Sequence, residues 1–113
     1  MQNQEIAMQL LEMLLNSNVQ KSDETAYEFN VGKKYFIRTV THILVGECVA
    51  YDEKEVFLIK CSWIADTGRY HDCLKTGEFS EVEPYPPALV VGVNRGSFID
   101  RCEWLHDLPT VQK

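Results

Sequence analysis

The sequence predicts a mainly β domain: a five-stranded antiparallel sheet, a helix before it, and a helical insertion between the third and fourth strands. Three observations predict this. Residues 46–59 hold two β-prone runs on either side of the acidic turn Asp52-Glu53-Lys54, a hairpin pattern. Further β-prone runs at residues 35–40, 88–93 and 97–104 are punctuated by Thr41-His42 and by Asn94-Arg95-Gly96. The clearest helical stripe, at residues 4–15, lies outside all of these runs.

Taken in order, the helix comes first, within residues 1–16. Ile6, Ala7, Leu10, Leu11, Met13 and Leu14 make a broad apolar stripe, which Asn16-Ser17-Asn18 ends. The stripe is wider than one face of a small sheet requires, so it either packs across an open end of the sheet or meets another subunit. Lys21-Ser22-Asp23-Glu24 is a polar linker. Residues 33–104 then carry the sheet of what length makes a single domain, residues 1–113. Pairing residues 43–51 with 56–63 about Glu53-Lys54 sets Tyr51 opposite Val56, Ala50 opposite Phe57 and Cys48 opposite Ile59. Alternation collects Gly46, Cys48, Ala50, Phe57, Ile59, Cys61 and Trp63 on one dry face. Residues 65–87 are the insertion. Asp66 or Thr67 is placed to cap a short helix over residues 70–75, with Gly77 just past its end. Glu83-Pro84-Tyr85-Pro86-Pro87 reads as a stiff connector with few backbone donors.

Composition narrows the function classes. A chain of 113 residues, 45% apolar and 25% charged, has enough material for one core without metal or disulfide staples. No run of about 18 apolar residues occurs. The start, Met-Gln-Asn-Gln-Glu, lacks the basic region of a signal peptide, so a cytoplasmic protein is expected. Cys48, Cys61, Cys73 and Cys102 form no C-x-x-C pair and read as small buried hydrophobes in a reducing compartment. His71 and Cys73 would need two more zinc ligands that no local spacing supplies, so neither metal nor other cofactor is expected. The net charge of −6 opposes generic affinity for nucleic acid, which needs clustered Lys and Arg. It leaves room for a small anion in a local basic pocket.

Each chemical constellation has a plainer alternative. Asp66-Thr67-Gly68 after Trp63-Ile64-Ala65 resembles the triplet of aspartic proteases, with Val90-Val91-Gly92 as a passable second element of a dimeric enzyme. Arg69 follows it, however, and an arginine beside a carboxylate dyad favours ionising both, which opposes a shared proton. The plainer reading is a helix cap. His42, His71 and His106 have no serine or cysteine partner at recognisable spacing, and no G-x-S-x-G or P-loop occurs, so no enzyme is expected. Most cations read as solvated surface charge. Arg95 differs, because it lies in a turn beside Gly96, where backbone can approach a ligand and a guanidinium can grip a phosphate. Arg69, beside Gly68, is the second such position. Trp63 reads as core, and Tyr70 and Tyr85 as the better placed stacking rings.

A helix followed by five antiparallel strands resembles the Sm-like family, to which the Hfq proteins belong. Gly46, Asp52 and Phe57-Leu58-Ile59 fall on its first motif; Val93, Asn94-Arg95-Gly96 and Ile99 resemble its second. The resemblance covers residues 35–63 and 88–104 and implies a small Sm/SH3-like barrel. This chain has Val56 where the family has a base-contacting asparagine, and it adds the insertion at 65–87. Asp52, Arg95 and Gly96 match the family's ligand-side positions, and Lys54, Asn94 and Arg69 complete the expected ligand-binding set. The chain also looks like small proteins of phages and prophages. The marks are Phe36-Ile37-Arg38-Thr39-Val40-Thr41, Trp63-Ile64-Ala65-Asp66-Thr67-Gly68-Arg69, Glu81-Val82-Glu83-Pro84, Arg95-Gly96, Trp104 and Leu108-Pro109. Together these resemblances imply a non-enzymatic, homo-oligomeric binder, with a ring as one closed form, acting in the host cytoplasm. It would sequester a small nucleotide-type ligand such as a host immune signal. An Sm-like RNA-binding regulator, a structural phage component and, more remotely, the dimeric protease are the alternatives.

Overall fold

A three-strand meander is the frame of the structure, a computed structural model that describes residues 28–113, of which residues 31–113 form one compact unit. Strands β1 (Lys34–Thr39), β2 (Ile43–Tyr51) and β3 (Glu55–Asp66) follow one another. Helix α1 (Tyr70–Thr76), β4 (Glu81–Pro84), β5 (Val91–Asn94), a 3-10 turn (Arg95–Ser97) and β6 (Phe98–Glu103) complete the order. The helix expected within residues 1–16 and the linker after it lie outside the described residues.

The sheet is antiparallel and six-stranded, ordered β4-β3-β2-β1-β6, with β5 also on β3. Twelve-residue β3 pairs with β2 along one edge and with two strands along the other: Glu55–Leu58 with β5, and Ser62–Asp66 with β4. No pairing joins β5 or β4 to β6, so the sheet stays open where a closed five-stranded barrel was expected. The additional strand is β4, taken from the stretch that reads as a connector. Pro84 is its last residue, an edge position where the missing N–H breaks no ladder. The outer side of β4 is covered by Lys113, which exchanges two backbone hydrogen bonds with Val82 at 3.0 and 3.1 Å.

Three bulges bend β2 and β3, and a fourth makes Ile99 of β6 an extra residue opposite the Arg38–Thr39 step. The hairpin begins as expected, with Tyr51 opposite Val56 and Ala50 opposite Phe57. Val49 is then an extra residue on β2, so Cys48 meets Leu58 and not Ile59. At the second bulge Lys60 and Cys61 together face Gly46, with Lys60 at φ 52°. A methyl on Gly46 would lie 3.2 Å from the Cys61 Cα and the Ile59 carbonyl, so glycine there lets the bulged strand close in. Ala65 is the third, opposite β4. Alternation resets at each. Val56, Leu58, Cys61, Ser62 and Ile64 are buried, Phe57 and Ile59 are half-buried, and Ala50 and Trp63 are exposed. Trp63, expected in the core, is 40% exposed because Cys61 and Ser62 are buried in succession before it.

Both faces of β1 are buried, with Phe36 to one side and Tyr35 and Ile37 to the other. On the Phe36 side, Val45, Ile64, Val82, Cys73, Phe79 and Trp104 form a core, with Leu74 and Leu108 against it. Trp104 stacks on Phe36 at 5.3 Å and on Phe79 at 5.2 Å between centroids. Helix α1 closes this side through Cys73 and Leu74. It ends as expected at Gly77, which is left-handed (φ 82°) and returns its N–H to the Cys73 carbonyl. Its N-cap is Arg69, with no side-chain cap bond; Asp66 instead accepts the Gly68 N–H at 2.8 Å, holding the turn before the helix.

Candidate functional site

Five of the six expected ligand-side residues meet at one corner. The Asp52 carboxylate accepts the Lys54 and Glu55 amides at 2.8 and 2.7 Å, which closes the β2–β3 turn. Those bonds, more than the nearby Arg95 and Lys54 charges, hold its pKa below the usual carboxylate value. Arg95 Nη1 donates to the Asp52 carbonyl at 2.6 Å, and the Arg95 amide donates to the Lys54 carbonyl at 2.8 Å. Asn94 pairs with Glu55 across β3–β5, and its side-chain oxygen accepts the Gly96 amide at 2.7 Å, starting the 3-10 turn. These hydrogen bonds join two turns, and Arg95 is half-buried as a residue. Arg69 lies apart. It follows the opposite end of β3 and lines a shallow hollow with Asp72, Glu78 and Lys113.

A charged pair also lies across β1 and β6. Arg38 and Asp100 are register partners joined by a two-pronged bond, with Arg38 Nε 2.8 Å from Asp100 Oδ1. The contact raises the Arg38 pKa and lowers that of Asp100. The Arg38 guanidinium also lies 4.9 Å from the Tyr70 ring centre, which engages one of the two expected stacking rings. Burial pushes the Tyr70 hydroxyl up.

A groove of about 760 Å³ lies between β1–β3 and the segment after β6. Lys34 and Lys60 supply two ammonium groups, Glu47 and Asp107 two carboxylates, Tyr85 a ring, and Cys61 and Leu108 apolar wall. Lys34 Nζ donates to the His106 carbonyl at 2.5 Å, and Lys60 Nζ is 3.8 Å from Glu47. Tyr85 is fixed by its amide, which donates to the Cys61 carbonyl at 2.9 Å. The sequence pattern singles out Tyr85 but neither lysine. Lys60 enters the groove from a bulge whose one visible signal is Gly46 on the facing strand.

Among the described residues, no helix is long and apolar enough to cross a membrane, and no three His, Cys, Asp or Glu side chains are grouped to hold a metal ion. Cys48, Cys61 and Cys73 are buried as expected, but Cys102 is exposed because β6 is an edge strand. Comparison with protein-family models, with curated proteins and with solved structures finds no match to this chain.

Proposed function

We propose that this chain is a non-enzymatic binding protein for a small nucleotide-type ligand, and that the ligand lies in the groove walled by Lys34, Lys60 and Tyr85. The observation that carries this reading is the composition of that 760 Å³ recess. Its size suits a ligand of a few tens of atoms. Two ammonium groups suit a phosphate, and a pinned tyrosine ring suits a base. Glu47 and Asp107 accept base or sugar donors and disfavour a ligand with many phosphates. The net charge of −6 acts in the same direction, against long RNA.

The strand order β6-β1-β2-β3-β5, with a 3-10 turn between β5 and β6, supports an open variant of the Sm/SH3-like barrel. Exposed Leu89, Val90 and Ile99, which lie beside β5 and on β6, support association of copies on this side of the sheet. The phage origin and the sequestering of a host signal rest on the sequence resemblance alone.

Native mass spectrometry of protein purified from bacteria without dialysis tests the reading. A defined oligomer with one nucleotide-sized mass per site is expected. Lys34→Gln with Lys60→Gln should lose that mass, or weaken binding about tenfold or more. Loss on Arg95→Ala alone would move the site to the Asp52–Arg95 corner. Failure of every nucleotide tested to bind would overturn the proposal.

A further inference from the structure

A second hollow, of about 310 Å³, is lined by His42, Trp63, Glu83, Pro84, Tyr85 and Pro86. Three of the six are aromatic rings and two are prolines. Glu83 is the carboxylate, and neither lysine nor arginine takes part. Trp63 and Glu83 are register partners on β3 and β4, so ring and carboxylate stand side by side by construction of the sheet. His42 meets the Trp63 ring edge-on at 6.2 Å. The turn that carries it is held by Thr39, whose hydroxyl accepts the His42 amide at 2.9 Å and donates to the His42 carbonyl at 3.0 Å. The His42 ring is held in turn by the Thr41 hydroxyl, 2.7 Å from Nδ1. Gln112 Nε2 lies 3.5 Å from Glu83 Oε2, leaving that carboxylate on the rim.

We infer that this hollow binds a compact methylated ammonium group, seated against the Trp63 and Tyr85 rings with Glu83 as its counter-charge. The ring faces are the negative side of the aromatic quadrupole and attract a cation. A phosphate-bearing ligand meets no positive side chain here and is repelled by Glu83. A neutral apolar ligand would desolvate the carboxylate without return. A bare ammonium or guanidinium brings several N–H donors, for which Glu83 is the one side-chain carboxylate. Methyl groups remove those donors, keep the charge, and fill the space between rings and prolines. The hollow shares Pro84 and the Tyr85 ring with the nucleotide groove and differs from it in Trp63, His42 and Glu83, which stand here where Lys34 and Lys60 stand there.

Titration of the full chain with choline, followed by tryptophan emission, tests it. Trp63 is 40% exposed and Trp104 is 2% exposed, so a bound cation is reported by Trp63. A saturable change is expected, absent in Trp63→Phe. Glu83→Gln and Tyr85→Ala should each weaken binding about tenfold while circular dichroism stays that of the parent. Lys60→Gln should leave it unchanged, which separates this site from the nucleotide groove. A trimethyllysine peptide run beside choline tells whether a free amine or a modified chain fits better, and saturable binding of either supports the site. The inference is overturned if neither binds, if 3,3-dimethyl-1-butanol, the uncharged twin of choline, binds as well, or if Glu83→Gln has no effect.

Discussion

The Arg95 guanidinium donates to the Asp52 carbonyl at 2.6 Å, joining two turns 43 residues apart in the chain. The Arg95 amide, on the Lys54 carbonyl, makes a second link between the same turns. The β5–β6 turn is thereby anchored to the hairpin that starts β3. Arg95→Ala should remove the side-chain link and keep the backbone one. Amide exchange at Lys54, Glu55 and Arg95 should quicken, while the amides of β1 and β2 keep their protection. Arg95→Lys should restore part of that protection through a single ammonium donor. If exchange at the corner is unchanged in Arg95→Ala, the side-chain bond contributes nothing to the corner's order.

Two carboxylates contribute to the acid limb of stability. Asp52 is lowered by the Glu55 and Lys54 amides, and Asp100 by its hydrogen bond from Arg38. Both then bind protons more weakly folded than unfolded, where the value is about 3.9. Their contribution is fully present above that unfolded value and is lost as pH falls through the lower folded values. The urea midpoint should therefore be insensitive to these groups near neutrality and fall below about pH 4. Asp52→Asn with Asp100→Asn should flatten that fall, and an unchanged slope would remove both as its source. The Arg38–Asp100 pair is solvent-exposed, so its share should shrink as salt is added.

Gly77 and His106 occupy one another's only space. A methyl on Gly77 would lie 2.6 Å from His106 Cγ, and Gly77 is also left-handed at φ 82°. His106 in turn donates from Nε2 to the Leu74 carbonyl at 2.9 Å and packs edge-on against Trp104 at 4.9 Å. Gly77→Ala should cost about 1–3 kcal/mol from backbone strain alone. Displacing His106 from the helix end adds to this. Adding His106→Ala should then cost less than the sum of the single changes, because the clash is relieved only once. Strict additivity in thermal denaturation would mean the ring moves aside without consequence.

How far the sequence reveals this molecule follows from how local each signal is. Asp52, Gly77 and the Asn94-Arg95-Gly96 turn are legible because each acts through hydrogen bonds or backbone angles within a few residues. The bulges at Val49 and Lys60 are not, since neither residue has the composition of a bulge and only the facing Gly46 marks one of them. A bulge resets the alternation beyond it, so Trp63, which strict alternation places in the core, is 40% exposed. β4 was hidden by its prolines, which suit a strand end as well as a connector. The Lys34–Lys60–Tyr85 groove and the Trp63 hollow both depend on the placement of Lys60, Trp63 and Tyr85 after those irregularities. Neither follows from spacing alone.

The four thiols separate by the same geometry. Cys61 is 1% exposed and its pKa is pushed up to about 12 by burial, leaving almost no thiolate at neutral pH. Burial also raises Cys48 and Cys73. Cys102 is raised as well, by desolvation and by Asp100, yet it stands exposed on the edge strand β6. A thiol reagent at pH 7.5 should therefore modify Cys102 slowly and first, the other three only as fast as the sheet opens. Cys102→Ser should abolish the early phase, and Asp100→Asn should quicken it by removing a neighbouring negative charge. Modification of Cys61 at the rate of Cys102 would mean that β3 opens locally at the Lys60 bulge. The groove floor would then be exposed without global unfolding.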